Sequence, residues 1–70
     1  MTMLEKIKEI ANNFNHDIFV IYQMEGNTGR IIDYVVSRKE ANDYQRIAKK
    51  NGFRVYIAEC CKEDNSVIYW

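Results

Sequence analysis

Two pairs of neighbouring residues in this sequence are of types that can do chemistry. His16 stands beside Asp17, which could orient it as a general base, and Cys60 is followed directly by Cys61. No nucleophile is placed near His16 in the sequence. One histidine and two cysteines also fall short of the four ligands and paired spacings of structural zinc. We therefore expect a protein that is not an enzyme and that holds no metal and no cofactor.

The run Gly26-Asn27-Thr28-Gly29 has the glycines of a phosphate-binding loop in a different setting. It lies between two β-branched and aromatic runs, whereas a P-loop is followed by Lys-Ser or Lys-Thr and a helix. The pattern predicts a hairpin turn.

The two cysteines indicate the compartment. Adjacent residues do not reach ordinary disulfide geometry without a strained peptide, so we expect reduced thiols. Successive strand residues face opposite ways, which predicts one cysteine in the core and the other exposed. There is no apolar run of about 18 residues and no signal peptide at the start of the sequence. These features predict a cytoplasmic protein without a membrane segment.

Charge and composition narrow the class of protein. Ten basic and ten acidic residues give a formal net charge of zero, which disfavours non-specific nucleic-acid binding. Hydrophobic residues make up 47% of the chain, too many for a disordered tail. A chain of this length has room for one thin core, which a partner subunit would help to stabilise.

Hydrophobic periodicity and caps predict six elements in the order αββαββ. Thr2 with Glu5 and Ser37 with Glu40 have the spacing of helix-initiating capping boxes, and Asn51-Gly52 is a helix stop. The predicted helices cover residues 3–14 and 38–51. The predicted strands cover residues 17–24, 30–37, 53–61 and 66–70.

These elements predict one domain, residues 1–70, of the α+β class. The expected architecture is a two-layer αββαββ sandwich, with two helices packed on one face of a four-stranded, mainly antiparallel sheet. Two helices, each about 10 Å across, are as wide as four strands about 4.8 Å apart. The helices would then cover one face and leave the other uncovered.

The uncovered face is predicted to carry large apolar side chains. In the second strand, alternation predicts that Ile32, Tyr34 and Val36 face the helices and that Ile31 and Val35 face outward. The first strand is apolar on both rows, so it contributes whichever way it faces. Such a patch exceeds the few hundred Å² that monomers usually expose, which predicts a partner-binding surface. Its residues are Phe19, Ile21, Ile31, Val35, Arg54, Tyr56, Ile68 and Trp70.

This surface leads to two hypotheses about function. The first is a small non-enzymatic binding protein and homodimer, which docks onto a protein partner or sequesters a ligand, as an inhibitor or adaptor of the kind that phages or mobile elements encode. The second is a single-stranded nucleic-acid-binding module that uses sheet aromatics and arginines, although zero net charge disfavours it.

Overall fold

Both helices begin at the predicted caps. The structure, a computed structural model, describes residues 2–70. In α1 (Met3–Ala11), the Thr2 side chain accepts a hydrogen bond from the Glu5 amide and the Glu5 carboxylate accepts one from Thr2, which completes the capping box. In α2 (Arg38–Lys50), the Ser37 hydroxyl accepts from the amide of Glu40. Within residues 2–70 neither helix has the length and apolar character to cross a bilayer.

The end of α2 is a Schellman motif. The Phe53 amide donates to the carbonyl of Ala48 at 2.8 Å, and the Gly52 amide donates to that of Lys49 at 3.1 Å. Gly52 has a φ of +84°, a backbone conformation that a residue with a Cβ rarely adopts. This glycine therefore fixes where α2 stops and where the chain turns back toward the sheet.

Four strands complete the predicted αββαββ order, which is confirmed. They are β1 (Ile18–Glu25), β2 (Thr28–Val35), β3 (Tyr56–Cys61) and β4 (Ser66–Tyr69). Gly26, with a φ of +63°, opens a two-residue turn between β1 and β2, so the glycine-rich run is a hairpin turn. Asn65, with a φ of +57°, lies in the turn between β3 and β4.

The sheet has the order β2-β1-β3-β4, and each neighbouring pair is antiparallel. The chain leaves β2 at one edge, passes through α2 and returns as β3 on the far side of β1. The two long apolar strands β1 and β3 therefore lie in the middle. The strands with free edges are β2 and β4.

The helices lie on opposite faces of the sheet, whereas the sequence predicted both on one face. Ile7 of α1 packs with Ile18, Val20, Ala58 and Cys60, which share one face of β1 and β3. On the other face, the residues that pack together are Ala41 of α2 and Phe19, Ile21, Val55 and Ile57.

The reason for this arrangement lies in β1. Both rows of its side chains are apolar because both rows are buried. One helix about 10 Å across covers the two inner strands of each face and leaves the edge strands beyond it. The α+β class and the antiparallel sheet are as predicted, but the layers are helix, sheet and helix.

A β-bulge in β2 overturns the predicted facing of that strand. Ile21 pairs with Asp33 and Tyr22 pairs with Ile31, so Ile32 is an extra residue. Ile31 packs against the core under α1 and Val35 against the core under α2. The residues predicted to face inward, Ile32, Tyr34 and Val36, are all exposed.

Candidate functional site

The structure separates the residues of the predicted outer face. Phe19 and Ile21 are buried beneath α2, so they are unavailable to a partner. Ile31 and Tyr56 lie on the α1 face, and Arg54 is exposed in the segment that precedes β3. Ile31, Val35 and Tyr56 are partly buried. Ile68 and Trp70 remain accessible, both at the β4 side of the sheet. The prediction of one continuous apolar face was therefore wrong, because α2 covers its centre.

One small pocket beside the end of α1 is lined by the residues considered for chemistry, His16, Cys60 and Cys61. His16 is exposed, with its Nδ1 3.0 Å from the carbonyl oxygen of Asp17. Cys60 is buried and Cys61 is partly exposed, as alternation along β3 predicted. Burial raises the pKa of the Cys60 thiol to about 11, with further contributions from Cys61, Asp17 and Glu59. A thiol that holds its proton this firmly is a poor nucleophile.

The β4 edge, defined here as Ser66–Tyr69 with its outward backbone groups, is open. The Trp70 amide donates to the Ile57 carbonyl at 3.0 Å, so it points toward β3. Because amides alternate in direction along an antiparallel strand, those of Val67 and Tyr69 point away from the sheet. No side-chain acceptor of residues 2–70 is hydrogen-bonded to either of them. These groups can pair with another strand.

The side chains of the β4 edge favour the same use. The strand Ser-Val-Ile-Tyr carries no charge, and Ile68 and Tyr69 are 50% and 52% exposed. Ile68 pairs with Glu59 and Tyr69 with Ala58, so these side chains lie on opposite faces of the sheet. A strand added at this edge would therefore meet an apolar side chain on each side.

Three tyrosines extend this surface on the α1 face. The rings of Tyr22 and Tyr56 stack with centroids 5.7 Å apart, and Tyr69 meets Tyr22 edge-on at 6.5 Å. Burial raises the pKa of Tyr22, and its neighbours Tyr69 and Tyr56 add to the effect. The cluster offers flat, partly apolar surfaces beside β4.

A polar network holds the end of β4 in place on the α2 face. Glu59 is only 7% exposed, and its Oε1 accepts a 3.0 Å hydrogen bond from the Trp70 indole N–H. Its Oε2 lies 2.7 Å from a guanidinium nitrogen of Arg38 at the start of α2. The Trp70 ring also packs edge-on against Phe19 at 5.8 Å. These contacts fix the backbone at the end of β4, so the open edge is already ordered before a partner binds.

The β2 edge, defined as Thr28–Val36 with its outward backbone groups, is closed at one end. The Tyr34 amide donates to the carboxylate of Asp33 at 2.8 Å, and the Val36 amide donates to that of Glu40 at 3.2 Å. The bulge at Ile32 further interrupts the regular row of groups. Capped amides and a bulge are means by which proteins prevent edge strands from pairing.

A second exposed apolar surface lies between α2 and β2. It is a shallow groove lined by Ile32, Tyr44, Ile47 and Phe53. Phe53 is 61% exposed, although it occupies the position that often makes an apolar contact in a Schellman motif. The side chains that line this groove come from α2, from β2 and from the segment before β3.

Sequence reasoning missed the features that distinguish the two edges. The buried Glu59 gave one usable signal, because a carboxylate within the apolar run FRVYIAECC requires a partner such as Arg38. The caps at Tyr34 and Val36 gave none, since they depend on which amides turn outward after the bulge.

Comparison with protein-family models found no match, and comparisons with curated proteins and with solved structures found none either.

Proposed function

We propose that this chain is a non-enzymatic binding protein that docks a protein partner by strand addition at the β4 edge. One observation carries the proposal: the uncharged β4 edge leaves the amides of Val67 and Tyr69 directed outward, whereas at the other edge the amides of Tyr34 and Val36 are capped. In strand addition, backbone hydrogen bonds supply affinity and alternate side chains supply specificity. An inhibitor or adaptor acts in this way, without a catalytic group.

The surroundings of the edge support this function. Ile68 would contact the added strand on the α2 face and Tyr69 on the α1 face. Because the Glu59 network already orders the end of β4, binding would cost little further conformational entropy. The two thiols, free and in one case deeply buried, support a cytoplasmic location for the complex.

Selection from a library of displayed peptides tests the proposal without knowledge of the natural partner. We expect peptides that bind wild type to shift the amide resonances of Val67 and Tyr69. Ile68→Lys should abolish binding by placing a charge on the edge, a common natural device against strand pairing. Ile32→Lys is the matched control, since it is also an exposed isoleucine on an edge strand, and it should retain binding.

Two outcomes of this selection would contradict the proposal. Peptides that map to the groove between α2 and β2, or that bind Ile68→Lys as well as wild type, would overturn docking at β4.

The tyrosine cluster favours a second function, a single-stranded nucleic-acid-binding module. Exposed aromatic side chains on a sheet stack with bases. Against this, Arg30 pairs with Glu25, their nearest charged atoms 4.0 Å apart, and the net charge is zero. Titration with a fluorescent single-stranded oligonucleotide at two salt concentrations tests it. Salt-dependent binding that Tyr56→Ala removes would support this function, and no binding at low salt would exclude it.

A further inference from the structure

We infer that, in the isolated protein, the strand that occupies the β4 edge is the β4 of a second copy of the chain. This inference rests on the proposed use of that edge and names its occupant. The two sheets would join into one sheet of eight strands, with a two-fold axis at Ile68.

The sequence of β4 permits a self-complementary register about that axis. In an antiparallel pair, residues whose backbone groups point at the neighbouring strand exchange both hydrogen bonds. With Ile68 opposite Ile68 of the second copy, Val67 faces Tyr69 and Tyr69 faces Val67. These are the two residues of β4 whose amides point outward. Every outward group of the strand therefore meets its complement, as a two-fold interface requires.

The side chains suit this register. On the α2 face, the two exposed Ile68 side chains meet at the axis, and cross-strand apolar pairs of this kind are favourable. On the α1 face, Tyr69 of each copy would lie beside Val67 of the other. Since β4 has no charged residue, the pairing brings no like charges together at its centre.

Charges at the ends of the strands are complementary. The antiparallel pairing sets the β3–β4 turn, with Glu63 and Asp64, beside the opposite end of the second copy's β4. Arg54 precedes β3 at that end and is exposed. Opposite charges at the two ends favour the antiparallel arrangement and speed its formation.

The exposed surface of the chain is slightly larger than the average for its mass. The chain exposes 5049 Å², whereas a monomer of its mass, 8.3 kDa, exposes about 4,600 Å² by the usual size scaling. The excess is smaller than the roughly 800 Å² per subunit of a standard interface. Because β4 has only four residues, a β4–β4 pair should form a small interface, and the dimer should be reversible and form at micromolar or higher concentration.

Charge substitutions at the axis test the inference through rescue. Sedimentation velocity from low micromolar to millimolar concentration should show a monomer–dimer equilibrium for wild type. Ile68→Lys and Ile68→Glu should each raise the dimer dissociation constant by at least about tenfold, because each places like charges opposite one another. An equimolar mixture of the two should associate again, since lysine then faces glutamate. Ile32→Lys is the control and should dimerise like wild type.

Each outcome decides a separate point. If wild type is monomeric at millimolar concentration, the second copy is not the occupant, while selected peptides that still bind β4 would leave the proposed function standing. A dimer that survives Ile68→Lys unchanged, or single variants that the mixture does not rescue, would overturn this register. Circular dichroism of each variant shows that lost association is not lost folding.

Discussion

The two edges of the sheet present a contrast. At the β2 edge, carboxylates of Asp33 and Glu40 accept the outward amides of Tyr34 and Val36, and a bulge distorts the strand. At the β4 edge the strand is regular, uncharged and open. Its only protection is its shortness.

The difference shows that this chain can close an edge with its own side chains. An open edge carries a risk of aggregation, which natural sequences usually limit. A chain that caps two amides of one edge and leaves the other edge uncharged is consistent with a use for the open one. The following experiments, from the largest expected effect to the smallest, test whether that contrast is real.

Trp70→Ala should release the end of β4. Of the changes proposed here, it should have the largest effect on the contrast between the two edges. The side chain is partly exposed, so the free energy of unfolding should fall by about 2 to 3 kcal/mol, less than for a fully buried tryptophan. Urea denaturation measures it. Trp70→Phe keeps the ring packing and loses the bond to Glu59, which should cost about 1 kcal/mol. Equal stability of Trp70→Ala and wild type would mean that β4 is not held by this network.

Alkaline pH should lower the stability of the protein through Cys60, which lies in β3 beside β4. The folded state raises the pKa of this thiol from 9.0 to about 11, so the unfolded chain loses the proton first. Stability should therefore be unaffected below about pH 9 and fall between about pH 9 and 11, by about 2 kcal/mol at about pH 10.5.

Cys60→Ala supplies the control for that pH profile. Urea denaturation at neutral and alkaline pH should show a smaller decline for this variant than for wild type. Parallel profiles for the two proteins would show that the thiol is not the group responsible.

Removing the caps of the β2 edge should allow β2 to pair with a strand of another molecule. In an Ile68→Lys background, which closes the β4 edge, Asp33→Ala with Glu40→Ala removes the acceptors of Tyr34 and Val36. Each loss should cost about 0.5 to 1.5 kcal/mol of stability. Light scattering should detect renewed association. A variant that remains monomeric would show that the bulge, rather than the carboxylates, protects β2.

Hydrogen exchange should reveal the contrast with no change in stability. In monomeric Ile68→Lys, the outward amides of Val67 and Tyr69 should exchange faster than the capped amides of Tyr34 and Val36, because water reaches them without any opening of the structure. Exchange measured by NMR compares the four amides in one sample. Similar rates at both edges would remove the basis of the comparison.

Local signals predicted the elements well. Thr2 with Glu5, Ser37 with Glu40 and the glycine at position 52 placed the helices, because caps depend on residues a few positions apart. The turn glycine at position 26 placed the first hairpin for the same reason.

The layers and the site could not be predicted in the same way. Both rows of β1 are apolar, which was interpreted as one buried row and one exposed row, and the pattern does not tell which helix covers which row. The extra residue at Ile32 reverses the facing of β2, and its position depends on pairing with β1. Whether an amide at a sheet edge is capped depends on the arrangement of the layers and on the position of the bulge.

The central place of β1 has a kinetic consequence. Its hairpin with β2 is local, but its other neighbour begins after α2, and Ile18 pairs with Cys60, more than half the chain length away. Closing so long a loop slows folding. During synthesis on the ribosome, α1, β1 and β2 emerge first, and the row of Phe19 and Ile21 stays uncovered until α2 arrives. In that interval an apolar row that the finished protein buries is open to water.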